Sequence, residues 1–186
     1  MKRWFFSAIV LLLPQAVQAE ISYDQLAQFS LTPKILEGSF NQEKYIATLD
    51  TTLISTGVFT YRRDKSIRWE ILEPIHNQLL MTPSAISSKA ENRELMRLDA
   101  NSNPVAQVIS EIFFAVLTAD WEKLAPHFEL SGTVEGLLWH AVLLPLDPAV
   151  AQIFSRVELK GQTLLEKIVL HEKSGDRTTI HLVNQR

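Results

Sequence analysis

From Gly38 to Pro74 the chain reads GSFNQEKYIATLDTTLISTGVFTYRRDKSIRWEILEP, with large apolar side chains on one parity and charges on the other. Leu53, Phe59, Tyr61, Ile67, Trp69 and Ile71 hold odd positions, while Arg62, Arg68 and Glu70 hold even ones. Side chains alternate at period two along a strand, so the pattern predicts two or three long antiparallel strands with one dry and one wet face. The dry face has to be covered, by protein or by a ligand.

Extended segments are expected at Ile35–Ala47, Leu53–Arg63, Ile67–Leu72, Asn77–Thr82, Ala85–Lys89 and Arg93–Leu98, parted by Asp64, Pro74, Pro83 and Asn92. Short strands at such spacing indicate an antiparallel sheet and not βαβ units. A helix over Ser22–Leu31 precedes them, with Ser22 as N-cap and Pro33 limiting its extension. After the strands the apolar period changes. Asn103 caps a helix that opens on Pro104 and runs to Ala119, with Val105, Val108, Ile109, Ile112, Phe113 and Val116 along one stripe. Phe114 falls outside the stripe, among Gln107, Ser110, Glu111 and Thr118. It reads either as an exposed aromatic at a bend or as the mark of a helix that is dry on two sides.

Strand patterns return at Phe128–Gly132, Leu137–Leu144, Val157–Gly161, Leu164–His171 and Thr178–Val183. Lys173-Ser174-Gly175-Asp176 makes a hairpin turn, and Asp147–Ala151 fits a short helical turn. The expected fold is mainly β (α+β), with about eleven strands and one strong helix. A sheet that large and amphipathic curls, and with few helices it curls towards a barrel.

The first residues bear on the compartment. Lys2 and Arg3, an apolar run from Trp4 to Leu13, Pro14 and a Val17-Gln18-Ala19 end have the layout of a secretory signal peptide cleaved after Ala19. The run is shorter than the roughly 20 residues that span a bilayer. The chain has no cysteine. Export without disulfides or a lipidated Cys points to the bacterial periplasm and to a core that stands without staples. Residues 20–186 then make one domain, with no repeat, linker or low-complexity tract. The 18 Lys and Arg face 21 Asp and Glu, and removing Lys2 and Arg3 brings the net charge from −3 to −5. That balance argues against a nucleic-acid surface.

Enzyme motifs are missing: no G-x-S-x-G, S-x-x-K, P-loop or G-x-G-x-x-G occurs. None of His76, His127, His140, His171 and His181 belongs to an H-E-x-x-H run. Glu70, Glu73, Glu158, Glu166 and Asp176 are scattered over turns and wet faces, so nothing proposes a zinc site or an acid–base pair. No catalysis, metal or cofactor is expected. The Arg62-Arg63-Asp64-Lys65 cluster reads first as a solvated hairpin turn. Parity, however, extends Phe59 and Tyr61 to Arg63 and places that guanidinium at the rim of the dry face. Its fixed donors could there bridge carbonyls of a covering element.

Phe40-x-Gln42, Gly57-x-Phe59, Arg63, Trp69 and Pro74 resemble the pattern of the LolA family of periplasmic outer-membrane lipoprotein carriers. That pattern is an F-x-Q strand, a G-x-aromatic strand, a basic turn, a strand Trp and a Pro that ends the strand. Signal peptide, length and element order agree over nearly the whole chain, while the motifs are confined to Gly38–Pro74. Gly175-Asp176-x-Thr178 resembles a divergent branch of such proteins, often found beside lipid-biosynthesis genes. The resemblance implies an unclosed antiparallel β-barrel with helices across its mouth and a cavity for acyl chains. The family's rim arginine, which holds the cover closed, maps onto Arg63. Where the family usually has Pro after it, Asp64 stands here, able to pair with the arginine. The usual Asp-Gly turn further on is replaced by Thr82-Pro83-Ser84.

The candidate ligand-binding set is Phe40, Phe59, Tyr61, Arg63, Ile67, Trp69, Ile71 and Leu80 from the sheet, with Ile109 and Phe113 from the helix. The expected function is a soluble, monomeric periplasmic carrier of lipoproteins or related acylated lipids. Its partners would be the cargo, an inner-membrane loading complex and an outer-membrane acceptor. The alternatives are a periplasmic sensor or interaction domain on the same half-barrel and, third, a lipid esterase, for which the chain displays no nucleophile–base pair.

Overall fold

The computed structural model describes residues 21–31, 33–90, 93–99 and 104–186, with the side chains of 104–106, 108 and 109 left aside. The signal peptide, the Asn92 break and the Asn103 cap lie outside the described residues.

Helix α1 (Tyr23–Phe29) leads into strands β1 (Ile35–Ile46), β2 (Thr51–Arg62), β3 (Ser66–Glu73), β4 (Asn77–Thr82), β5 (Ala85–Ala90) and β6 (Arg93–Asp99). Helix α2 (Pro104–Thr118) and a 3-10 turn (Trp121–Leu124) follow. The second half runs β7 (Phe128–Glu135), β8 (Leu138–Pro145), α3 (Pro148–Ala151), β9 (Phe154–Gly161), β10 (Leu165–Glu172) and β11 (Arg177–Val183). All eleven strands form one antiparallel sheet in the order β6-β5-β4-β3-β2-β1-β11-β10-β9-β8-β7. Two meanders are thus joined through the β1–β11 pair, and β6 and β7 remain as free edges, so the barrel is not closed. The connection from one edge to the other contains α2. It lies across the concave face, where the dry parity needs a cover.

Alternation holds through the middle of the sheet. Phe59, Tyr61, Ile67 and Trp69 are buried on the concave side, while Val58, Arg62 and Arg68 are exposed on the other. Leu53 departs from this expectation. It keeps the inward parity but is 55% exposed, because the β1–β2 hairpin extends past the helical cover and leaves Leu49 and Ile54 exposed as well. Strand ends otherwise fall close to their expected places. The largest extensions are β7 to Glu135 and the start of β9 at Phe154.

Local chemistry explains the helix starts. Ser22 and Gln25 form a reciprocal capping box, each backbone N–H bound by the other's side-chain oxygen at 2.9 and 3.2 Å. Asp147 caps α3 by accepting from the Ala149 N–H at 2.7 Å. Phe114 proves to be half-buried, edge-on to Tyr61 with ring centroids 6.3 Å apart. On the same flank Ser110 and Thr118 are buried, whereas Gln107 and Glu111 face solvent. The helix is therefore dry on two sides. One flank packs against Tyr61, and the other covers the hollow described next.

Candidate functional site

One end of the concave face is filled by protein. Phe40 stacks on Trp69 with ring centroids 3.9 Å apart, Phe59 stacks on the same indole at 5.8 Å, and Tyr61 and Ile67 are fully buried beside them. Gly57 permits this packing, because a Cβ there would run into the Glu70 carbonyl and the Phe40 ring. Trp121 and Trp139 meet edge-on at 5.4 Å nearby, with their indole N–H groups bound to Ser30 Oγ and the Gln162 carbonyl.

Next to this block lies a cavity of about 300 Å³ between the sheet and α2. Its walls are Trp69, Ile71, Leu79 and Met81 from β3–β4, and Val157, Leu159, Ile168, Leu170 and Ile180 from β9–β11. Its roof is Ile112, Phe113, Val116 and Leu117 of α2, with Phe128 and Phe154 at the sides. The volume lies at the lower end of the range for small-molecule sites, and the mostly apolar lining fits hydrocarbon. Polar groups are few: Gln42, Lys44, Asn77, Ser88 and Thr178.

The structure divides the expected ligand set. Trp69, Ile71 and Phe113 line the cavity. Phe40, Phe59, Tyr61 and Ile67 form the packed block beside it and are not part of its lining. Leu80 requires correction. It pairs with Arg68 and Ser87 on the parity opposite to Leu79 and Met81, so it points away from the hollow, and Leu79 takes its place. The side chain of Ile109 lies outside the described residues. The C-terminal walls and the polar groups were missed. The regular alternation of Val157 and Leu159, Ile168 and Leu170, and Ile180 and Leu182 was the signal that could have found half of them.

Arg63 also differs from expectation. Its backbone N–H donates to the Lys34 carbonyl at 2.9 Å, but its Nη2 is buried without a hydrogen-bond partner among the described residues. It lies beside the Tyr61 hydroxyl. Burial pushes that phenol up, and the guanidinium offsets this only in part. Asp64 makes no ion pair with it and has φ +57°, a conformation closed to proline. The exchange of the family's Pro for Asp thus goes with a different turn. Thr82 rebuilds the following turn by accepting from the Ala85 N–H at 3.0 Å.

On the convex face His171 and Arg156 bind Glu158 at 2.9 and 2.8 Å, and His140 stands 3.6 Å from it. Burial works against the Glu158 charge, but these neighbours outweigh it and hold the carboxyl below its usual value. Among the described residues no group of His, Asp and Glu converges as a metal site, and no helix is long and apolar enough to cross a membrane.

Residues 31–186 match the family described as outer membrane lipoprotein carrier protein LolA. The chain belongs to that family. No curated protein matches it. Solved structures related to it are distant. A LolA superfamily protein from Nitrosomonas europaea superposes with a TM-score of 0.48 at 8% identity, over 88% of this chain and 90% of its own. A DUF1329 family protein from Desulfovibrio piger gives 0.42 at 11%, over 88% of each chain. A chain of the Pseudomonas aeruginosa MucA/MucB complex gives 0.42 at 16%, over 82% of this chain and 51% of its own.

Proposed function

We propose that the protein is a periplasmic carrier that shields acyl chains of lipoproteins or related lipids on their way towards the outer membrane. The observation that supports this reading is the apolar cavity beneath α2 in a LolA-family half-barrel. Residues 20–186 form the working domain, freed by cleavage after Ala19, and no bond is made or broken in the cycle. Each methylene that leaves a membrane for water costs about 0.8 kcal/mol, and transfer into the hollow offsets that cost. Release has to be as easy as loading. The empty cavity is partly covered by α2, so binding exchanges helix–sheet contacts for helix–acyl contacts with a small net free energy. An inner-membrane complex would load the cargo and an outer-membrane acceptor would take it.

Binding of a fluorescent acyl probe tests this reading. The protein binds the probe, and Leu79→Arg, at a half-buried lining position, abolishes binding while the circular dichroism spectrum is kept. Native protein that binds no probe and purifies free of lipid overturns the carrier reading. A stoichiometric protein partner in its place favours the sensor.

A further inference from the structure

The polar groups of the cavity are not scattered. Along β1 the inward positions run from Phe40, which is buried, through Gln42 to Lys44 near the hairpin. Lys44 pairs in register with Thr178 of β11, and its ammonium reaches across that strand to Glu172 of β10 at 3.3 Å. On the opposite wall Asn77 begins β4, and its Oδ1 accepts from the Ser88 hydroxyl at 3.1 Å. Asn77 thereby keeps its amide N–H donors, and Gln42 and Thr178 make no side-chain hydrogen bond among the described residues. The strand direction therefore orders the cavity from a hydrocarbon end at Trp69 and Met81 to a donor-rich mouth.

Resting on the carrier reading, we infer that the cavity is a site for an amphiphile with an anionic head group, the tail lying under α2 and the carboxylate or phosphate against Lys44, Gln42 and Asn77. Three features of the mouth favour an anion. Four side chains there can donate, and one of them carries a full positive charge. Among the described residues the one carboxylate paired with Lys44, Glu172, belongs to a partly exposed pair, the kind that contributes little and exchanges readily. A ligand oxygen can replace the Glu172 carboxylate as the partner of Lys44, and a charge-assisted bond is stronger than its neutral counterpart. A purely hydrocarbon binder would need none of these donors.

The test keeps one tail and changes the head. Decanoate, decyl phosphate and decanol compete for the purified protein against the neutral dye N-phenyl-1-naphthylamine. Both anions displace the dye at concentrations about tenfold below decanol, a factor in keeping with a charge-assisted hydrogen bond. Lys44→Gln removes the preference by weakening the anions far more than decanol, and Glu172→Gln strengthens the anions. Decanoate ahead of decyl phosphate identifies a fatty-acid source, and the reverse identifies a lipid phosphate. Equal competition by decanol in the native protein, or a preference that survives Lys44→Gln, overturns the head-group site while the carrier reading stands. Failure of all three amphiphiles to displace bound dye overturns both.

Discussion

The two ends of the concave face obey the same alternation of dry and wet positions, yet one is solid and the other hollow. At the solid end Phe40, Phe59, Tyr61 and Ile67 interlock with Trp69, and Phe114 of α2 reaches down onto Tyr61. At the hollow end Ile71, Leu79, Leu170 and Ile180 face Ile112 and Phe113 across unfilled space. Both sets are apolar and both lie beneath the same helix. The difference lies in reach: at the solid end side chains meet across the gap between sheet and cover, and at the hollow end they stop short of each other. Core and binding site are thus one surface at two separations.

Substitutions at the two ends should separate them sharply. Gly57→Val drives a branched side chain into the Glu70 carbonyl and the Phe40 ring, and soluble folded protein should be lost altogether, as circular dichroism would show. Phe59→Ala should lower stability by about 3–5 kcal/mol in urea unfolding, since it opens a void in a tight block. Leu79→Ala should lower it by only about 1 kcal/mol, because part of that side chain already lacks neighbours. Equal losses at the two sites would show that the hollow is in fact filled. Leu170→Trp should weaken acyl-probe binding about tenfold or more with little change in melting temperature, because the indole occupies ligand space. The smallest effect falls at a helix cap outside the cavity lining. The Ala149 N–H, aided by His127, holds the Asp147 carboxyl below its usual value. A depressed carboxylate pKa gives stability that is present above the unfolded value near 3.8 and is lost as pH falls through the folded one. Asp147→Asn should therefore flatten the acid limb of the stability curve, measured by urea titration between pH 5 and 2, and leave probe binding unchanged.

Most of the fold was legible because period two is a strong signal when one face is dry. Strands such as Asn77–Thr82 fell at their observed ends, and Pro104 marked the start of α2. The site was harder to read. Parity alone does not say which way a short strand is turned, and Leu80 was placed inward where Leu79 belongs. Gln42, Lys44 and Thr178 occupy dry-parity positions, where polar residues look like interruptions of a pattern. Their meaning comes from the register of β1, β10 and β11, which brings residues far apart in sequence to one mouth. Phe114 was ambiguous for a related reason: a helical wheel shows two flanks but not how many surfaces press on them.

The unpaired edges β6 and β7 have a consequence for capacity. In a sealed cylinder the bore is set by strand number and stagger, and widening it means breaking a ladder. Here the shell has a seam, and among the described residues no interstrand ladder ties its two edges together. Strand number and stagger therefore do not fix the volume on offer, and the fold sets no rigid ruler for the length of a guest's tail.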